Sequence, residues 1–245
     1  MITVSPKCTA LGALFKNIQM AQFTLQMRGL KYLKPPPNFD HIEMPENTKL
    51  KTVPKVPIYP NNQRPPKMMK QLHLIRGPEL VHNKLVHKQY GVAAVRGGRM
   101  KHVHFEVIRL ALLKKLDYTR MFAVWRVDAP WQSCTKRPVG ITAGGGKGHI
   151  HHYVTPVKAH RIIFEVGGQC EYAEVEYFLK VIANKMPFAA RAVSQELLEK
   201  EELEAEKIKE RNMNIYNYEY LIKNNVLGCR RWVKEIDYKH FGKYL

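Results

Sequence analysis

Apolar positions recur at helical spacing in two stretches of this chain, with strand-like runs between them. Val103, Val107, Ile108, Ala111, Leu112 and Leu116 fall three or four residues apart and predict a first helix. Lys101, Arg109, Lys114 and Lys115 fill much of its remaining surface. Val175, Phe178, Leu179, Ile182 and Met186 predict a second helix, closed at Pro187 because the residue before proline disfavours helical dihedrals. The aromatic and β-branched runs at 122–127 and 161–166 read as strands, the second stopped by Gly167-Gly168. Pro130 and Pro138 bracket a loop. Residues 139–142 and 149–154 flank a glycine-rich loop as two further candidate strands, and 188–193 reads as a short returning strand. Helices and antiparallel hairpins in this order predict an α+β domain.

Outside this block the pattern fails in three different ways. Residues 34–66 carry nine prolines, which prevents regular helix and removes ladder donors. This stretch is expected to be an extended arm without its own core. Beyond Gln195, seven glutamates from Glu196 to Glu210 alternate with Lys200, Lys207 and Lys209, as in a solvated charged helix. From Asn212 onward Tyr216, Tyr218, Tyr220, Trp232, Tyr238, Phe241 and Tyr244 interleave with Lys223, Arg230, Arg231 and Lys234. Such aromatics stack on bases, anchor on a protein, or pack as a small helix on the main domain.

Charge sharpens the picture. The 245-residue chain has a formal charge of +19, which points to a polyanionic partner. No apolar run is long enough for a membrane-spanning helix. Cys8, Cys134, Cys170 and Cys229 are scattered without a CxxC pair, so neither a disulfide framework nor a zinc ribbon is indicated. No acidic residue precedes Asp40, whereas Lys7, Lys16, Arg28, Lys31 and Lys34 accompany Leu11, Leu14, Phe15 and Ile18 at helical spacing. A basic, acid-free amphipathic start reads as a mitochondrial transit peptide over residues 1–33; the competing reading is a basic RNA-binding tail.

The glycine loop Gly144-Gly145-Gly146-Lys147-Gly148 is the first candidate for chemistry. Bare backbone around a lysine suits close approach by a phosphate-bearing partner. A nucleotide P-loop requires glycine where Ile141 stands and a hydroxyl where Gly148 stands, so both anchors fail. A dinucleotide fingerprint lacks its acidic residue. His149, His151 and His152 crowd together without a complementary cysteine pair or HExxH, so they read as facing a polyanion rather than a metal. Ser133-Cys134 has no nucleophile elbow around it. No catalytic residue, metal site or cofactor is therefore assigned.

Between Lys84 and Arg161 the acids are Glu106, Asp117 and Asp128, set against fifteen Lys and Arg residues. Cations spread over predicted helix, strand and loop suit a protein embedded in folded RNA, where phosphate contacts supply affinity and shape supplies register. A DNA reader more often concentrates its charge on one helix.

At these residues the chain resembles the universal large-subunit ribosomal protein family number sixteen, in its mitochondrial form. The resemblance covers about 76–193 and follows the family's order of motifs. Gly97-Gly98-Arg99 precedes the basic helix. Val124-Trp125-Arg126-Val127 leads to Asp128 and Pro130, and Lys136-Arg137-Pro138 introduces the glycine loop. His152-Tyr153-Val154 and Ile163-Phe164-Glu165-Val166-Gly167-Gly168 follow, and Ala183-Asn184-Lys185-Met186-Pro187 closes the second helix. Arg76-Gly77-Pro78-Glu79 and Val81-His82-Asn83 are similar to the mitochondrial branch. One departure stands out: the family commonly has Arg-Met where this chain has Thr142-Ala143.

The resemblance implies two helices packed on an antiparallel sheet in an rRNA-binding core at 72–194; the proline-rich arm at 34–71 and the C-terminal extension at 195–245 lie outside it and look like mitochondrial additions. The resemblance also implies a mitochondrial-matrix ribosome protein near the base of the central protuberance. Its partners would be large-subunit rRNA, nearby tRNA and, through the extensions, neighbouring mitochondrial ribosomal proteins. Expected rRNA contacts are Arg96, Arg99, Lys101, Arg109, Lys114, Lys115, Arg120, Arg126, Lys136, Arg137, His149, His151, Lys158 and Arg161. Gly144, Gly145, Gly146, Lys147 and Gly148 would form a tRNA-proximal loop. The rival reading is a mitochondrial RNA-processing or RNA-modifying enzyme, which needs a cofactor pocket or acidic metal cluster that the basic core lacks.

Overall fold

A computed structural model describes residues 37–60, 63–141 and 144–244. The stretch read as a transit peptide, and Thr142-Ala143, lie outside the described residues. The strands are β1 Tyr90–Ala94, β2 Gly98–Lys101, β3 Met121–Trp125, β4 Gln132–Lys136, β5 His149–Val157, β6 Ile162–Gly168 and β7 Ala190–Ser194. The helices are α1 His102–Leu113, α2 Tyr172–Ala183, α3 Gln195–Arg211, α4 Tyr218–Lys223 and α5 Glu235–His240, with 3-10 turns at Leu72–Leu74 and Val226–Arg231.

The α+β class is as expected, but the strands form two antiparallel sheets rather than one. Four strands run in the order β3-β6-β1-β7 and three in the order β2-β5-β4. In the larger sheet Tyr90 stands opposite Val166 and Met121 opposite Gly168. Every position of β6 is buried, because both faces of this sheet are covered. On one face Phe105, Ile108 and Leu112 of α1 and Val175, Leu179 and Ile182 of α2 close over Val92, Phe164 and Val166. On the other, Leu85 packs with Ala93, Ile162 and Val193, and Leu198 of α3 leans on them. A strand buried on both sides reads as a continuous apolar run, which is why 161–166 was legible.

Four expectations are corrected. Val139 to Thr142 was expected to be the strand that flanks the glycine loop on the side opposite β5. That strand is instead β4, lying inside the stretch read as a loop, with Lys136 opposite His149 and Ser133 opposite Tyr153. Val139 is fully exposed and Gly140 turns the chain at φ +91°. β4 was missed because its inward residues are polar: Gln132 and Ser133 are buried and bonded to the arm. Secondly, the buried face of α1 is Phe105, Ile108 and Leu112, continued by Leu116, whereas Val103 and Val107 face outward. Phe105 and Val107 lie about 200° apart around a helix, so burying one exposes the other.

Gly167 and Gly168, expected to stop β6, are inside it. A Cβ on Gly168 would lie 2.2 Å from the Arg120 carbonyl oxygen, and one on Gly167 would lie 2.2 Å from Gln89 Oε1. Gln89 occupies that space: its Nε2 donates to Gly168 O at 3.0 Å and its Oε1 accepts from Gly168 N at 2.7 Å. Finally, α2 ends at Ala183, before Pro187 acts; Asn184 N donates to Lys180 O and Lys185 N to Ile182 O.

The proline-rich arm has a surface to lie on, namely this chain's own core. Leu50 and Val53 are buried in the main apolar cluster. Ala123 N donates to Thr48 O at 3.0 Å, Trp125 Nε1 donates to Lys51 O at 2.8 Å, and His102 Nε2 is 3.0 Å from Val53 O. A strand-free segment can dock this way because its carbonyls remain available as acceptors, although proline has removed its donors.

Candidate nucleic-acid interface

The three-stranded sheet with its long hairpin, the turn before β2 and the end of α1 carry exposed basic residues without ion pairs among the described residues. Lys136 ends β4 opposite His149 at the start of β5, so their side chains share a face at the root of the loop. His149 and His151 are exposed one pleat apart, and Lys101 ends β2 opposite Val154. Lys136, Arg137, His149 and His151 line a groove of about 330 Å³ with Pro138 and Val139. Arg96, Lys101, Lys114, Lys115, Lys136, Arg137 and Lys147 are exposed and make no ion pair among the described residues.

The loop between β4 and β5 is held by two cations, one of its own and one from the arm. Arg137 Nη2 donates to Gly146 O at 3.2 Å, and Lys67 Nζ donates to Lys147 O at 3.2 Å. Gly144 and Gly146 have φ of +109° and +73°, with nothing among the described residues within 4 Å of where a Cβ would sit. Their glycine character therefore serves backbone conformation and leaves the space outside open. Gly148 differs, because its Cβ would lie 2.5 Å from Lys136 O, so the hairpin itself excludes a side chain there.

Two imidazoles here, His104 and His152, are tuned by burial and then by this cationic setting. Burial pushes the His152 pKa down, and the charges of Lys101 and His151 add to the effect. His151 Nδ1 and His152 Nδ1 are 2.9 Å apart, so one ring donates and the other accepts. His104 is likewise lowered by burial and then by Lys101. Its Nδ1 accepts from Lys101 N at 2.9 Å, a bond that protonation would break.

Five arginines expected at the interface are engaged by the fold. Arg126 Nε lies 2.9 Å from Oε1 of the buried Glu165. That contact is an ion pair rather than an aligned hydrogen bond, since this buried Nε has no aligned acceptor. The same carboxylate accepts from Val86 N at 3.0 Å and His87 N at 2.9 Å. Arg161 reaches Glu79 at 3.6 Å and Asp128 at 3.7 Å. Arg120 pairs with Asp117 and Glu174, and Arg109 makes a two-pronged pair with Glu106 at 2.8 and 3.2 Å. Arg99 donates to Lys70 O of the arm. Lys158 is half-buried and lines a separate pocket beside the C-terminal segment.

Residues outside the expected set also build the site. Ser133 Oγ donates to Pro66 O at 2.6 Å and accepts from Met68 N at 3.0 Å, while Gln132 Nε2 donates to Met69 O at 3.2 Å. These contacts bring Lys67 to the loop. The signal was a polar pair, Gln132-Ser133, facing a proline segment rich in free carbonyls. Cys170 is buried and its thiol is pushed up to about 11, chiefly by burial and then by the Glu174 charge, which leaves it unreactive. Among the described residues no cluster of three or more His, Cys, Asp or Glu could hold a metal. Nor is any helix among them long and apolar enough to cross a membrane.

The family described as Ribosomal protein L16p/L10e matches residues 60–193, which span the end of the arm, both sheets and the glycine loop. Large ribosomal subunit protein uL16 of Coprothermobacter proteolyticus is 32% identical over 121 residues, covering 49% of this chain and 87% of that protein. The protein of the same name from Aquifex aeolicus is 33% identical over 119 residues, covering 49% and 82%. That of Agathobacter rectalis is 31% identical over 117 residues, covering 48% and 79%. By these matches the chain belongs to the ribosomal L16p/L10e family, whose members are structural components of the ribosome and not enzymes.

Proposed function

We propose that this chain is a structural constituent of the mitochondrial large ribosomal subunit, bound to large-subunit rRNA near the base of the central protuberance. Its glycine loop would stand beside the tRNA acceptor arms. The observation that carries the reading is the separation of its cations. Arg109, Arg120, Arg126 and Arg161 are paired inside the fold. Lys136, Arg137 and Lys147 on the outer hairpin, and Lys101 at the end of the neighbouring β2, are exposed and have no ion pair among the described residues. Uncompensated cations on a rigid sheet suit phosphate contacts that supply affinity, while the fold supplies register. The rRNA contacts are therefore assigned first to Arg96, Lys101, Lys114, Lys115, Lys136, Arg137, His149 and His151. Arg99, Arg109, Arg120, Arg126 and Arg161 act mainly by holding the surface in shape.

Phosphate beside His152 would favour its protonated form, against the lowering of its pKa in the free chain. The mitochondrial address rests on the acid-free basic start of the sequence and on the motifs at 76–79 and 81–83. Residues 1–33 would serve as the leader, 34–71 as an arm strapped to the core at 72–194, and 195–245 as an extension meeting neighbouring proteins.

Two substitutions in the loop test the assignment. Gly146→Val adds bulk where the chain itself has open space, at a φ of +73°. Asparagine tolerates that conformation far better than valine. In cells depending on the variant, Gly146→Val is expected to leave subunit incorporation near normal and to slow mitochondrial translation severalfold, with Gly146→Asn intermediate. Loss of incorporation would make the loop an assembly contact instead. A reporter fused behind residues 1–33 is expected to enter mitochondria; a cytosolic reporter would remove the mitochondrial part of the reading.

A further inference from the structure

A second basic site lies away from the hairpin, where the C-terminal extension meets the core. A pocket of about 590 Å³ is lined on the core side by His73, Arg76 and Lys158. On the extension side it is lined by Lys234, Lys239 and His240, with Glu235 as the one carboxylate in its wall. None of its four Lys and Arg residues makes an ion pair among the described residues. Like charges brought together from segments some 80 residues apart repel each other unless an anion joins them.

Specific contacts hold the extension in place. The His240 ring lies over Gly77, where a Cβ would come within 2.6 Å of its Nε2. Tyr244 makes edge contacts with His160 and His240, at centroid distances of 5.2 and 6.0 Å. Phe241 and Gly242, both at positive φ, turn the chain back to make those contacts. Residues 234–240 lie beyond the family match, whereas residues 73, 76 and 158 lie within it. The pocket is thus a joint product of family core and added segment.

We propose that this pocket is a phosphate-binding site completed by the C-terminal extension, and that it grips the backbone of large-subunit rRNA. The proposal rests on the ribosomal reading above. Its volume lies within the range of about 300–1,000 Å³ usual for ligand sites, enough for a phosphate and its sugar. Mixed Lys and Arg donors suit phosphate oxygens without reading a base. The extension would so add a phosphate anchor from residues that lie beyond the family match.

The test compares full-length chain with the double variant Lys234→Gln/Lys239→Gln, binding an in vitro large-subunit rRNA transcript over a salt series. Removing one phosphate-neutralising cation should lower the salt slope by about 0.7–0.9. The double variant should therefore bind with a slope smaller by about 1–2, at an unchanged melting temperature. Lys234→Arg/Lys239→Arg should restore the slope. An unchanged slope in the Gln variant, with wild-type chain binding normally, overturns the pocket and leaves the ribosomal reading intact. Millimolar ADP or inorganic pyrophosphate that raises the melting temperature of the wild-type chain alone, with RNA slopes equal, would reassign the pocket to a free phosphorylated ligand. Wild-type chain that fails to bind the transcript at any salt sinks both readings.

Discussion

Replacing Glu165 with glutamine keeps the shape of the side chain and removes its charge. Glu165 is 1% exposed, and its two oxygens accept from the backbone N–H groups of Val86 and His87 while facing Arg126. Glutamine offers one carbonyl oxygen and one NH2 group. In either orientation a backbone N–H faces a donor, which removes a hydrogen bond to a charged acceptor worth about 1.5–3 kcal/mol. Arg126 also loses its counter-charge, an effect moderated because its side chain is 25% exposed. The total is about 3 kcal/mol, which for a domain of this size lowers the melting temperature by roughly 6–12 °C. Arg126→Met should destabilise to a similar degree, and the double variant by less than the sum of the two. Circular dichroism melting gives the stability, and the salt dependence of rRNA binding gives the interface. Both single variants should melt early and keep the wild-type salt slope. Lys136→Gln should melt within about 1 °C of wild type and lower the slope by about 0.7–0.9. An Arg126→Met protein that melts normally but binds with a reduced slope would refute the division between structural and RNA-facing cations.

The arm, the loop root and the histidines give further tests. Leu50→Ala should destabilise by about 2–3 kcal/mol and make residues 39–60 more susceptible to limited proteolysis, because Leu50 is buried in the main core; an unchanged digestion pattern would mean that the arm is not anchored there. Gly148→Ala should lower the melting temperature where Gly146→Asn does not, since a Cβ at 148 meets Lys136 O while 146 is open. His104 and His152 have folded pKa values lowered below the ordinary 6.5, so the unfolded chain binds more protons at mildly acidic pH. Their contribution is present above the unfolded value and lost as pH falls through it towards the folded values. The urea midpoint should drop from about pH 7.5 to about pH 5.5, and His104→Gln/His152→Gln should flatten that drop.

Much of the fold was legible because apolar residues dominate the buried elements. The burial of β6 on both faces and the Val175-Leu179-Ile182 stripe of α2 are periodicities that water imposes directly. β4 was illegible for the opposite reason: Gln132 and Ser133 are buried as polar groups satisfied by carbonyls from 62 or more residues earlier. Local pattern shows the polar pair but not which distant segment it meets. The same limit hid the docking of the arm and the arrival of Lys67 at the glycine loop. The basic character of the interface was plain from charge alone. Which cations face outward was not, because Arg126 and Lys136 are equally basic in sequence. Glu165, on a neighbouring strand, and nothing in the local sequence, draws Arg126 inward.

The central claim is membership of a large ribosomal subunit inside mitochondria. Sedimentation of tagged full-length chain from a mitochondrial lysate, through a sucrose gradient at high salt, tests it most directly. The expected result is comigration with large-subunit rRNA that persists at high salt and disappears when the rRNA is digested. Protein recovered mainly in light fractions, or absent from mitochondria, would contradict the account.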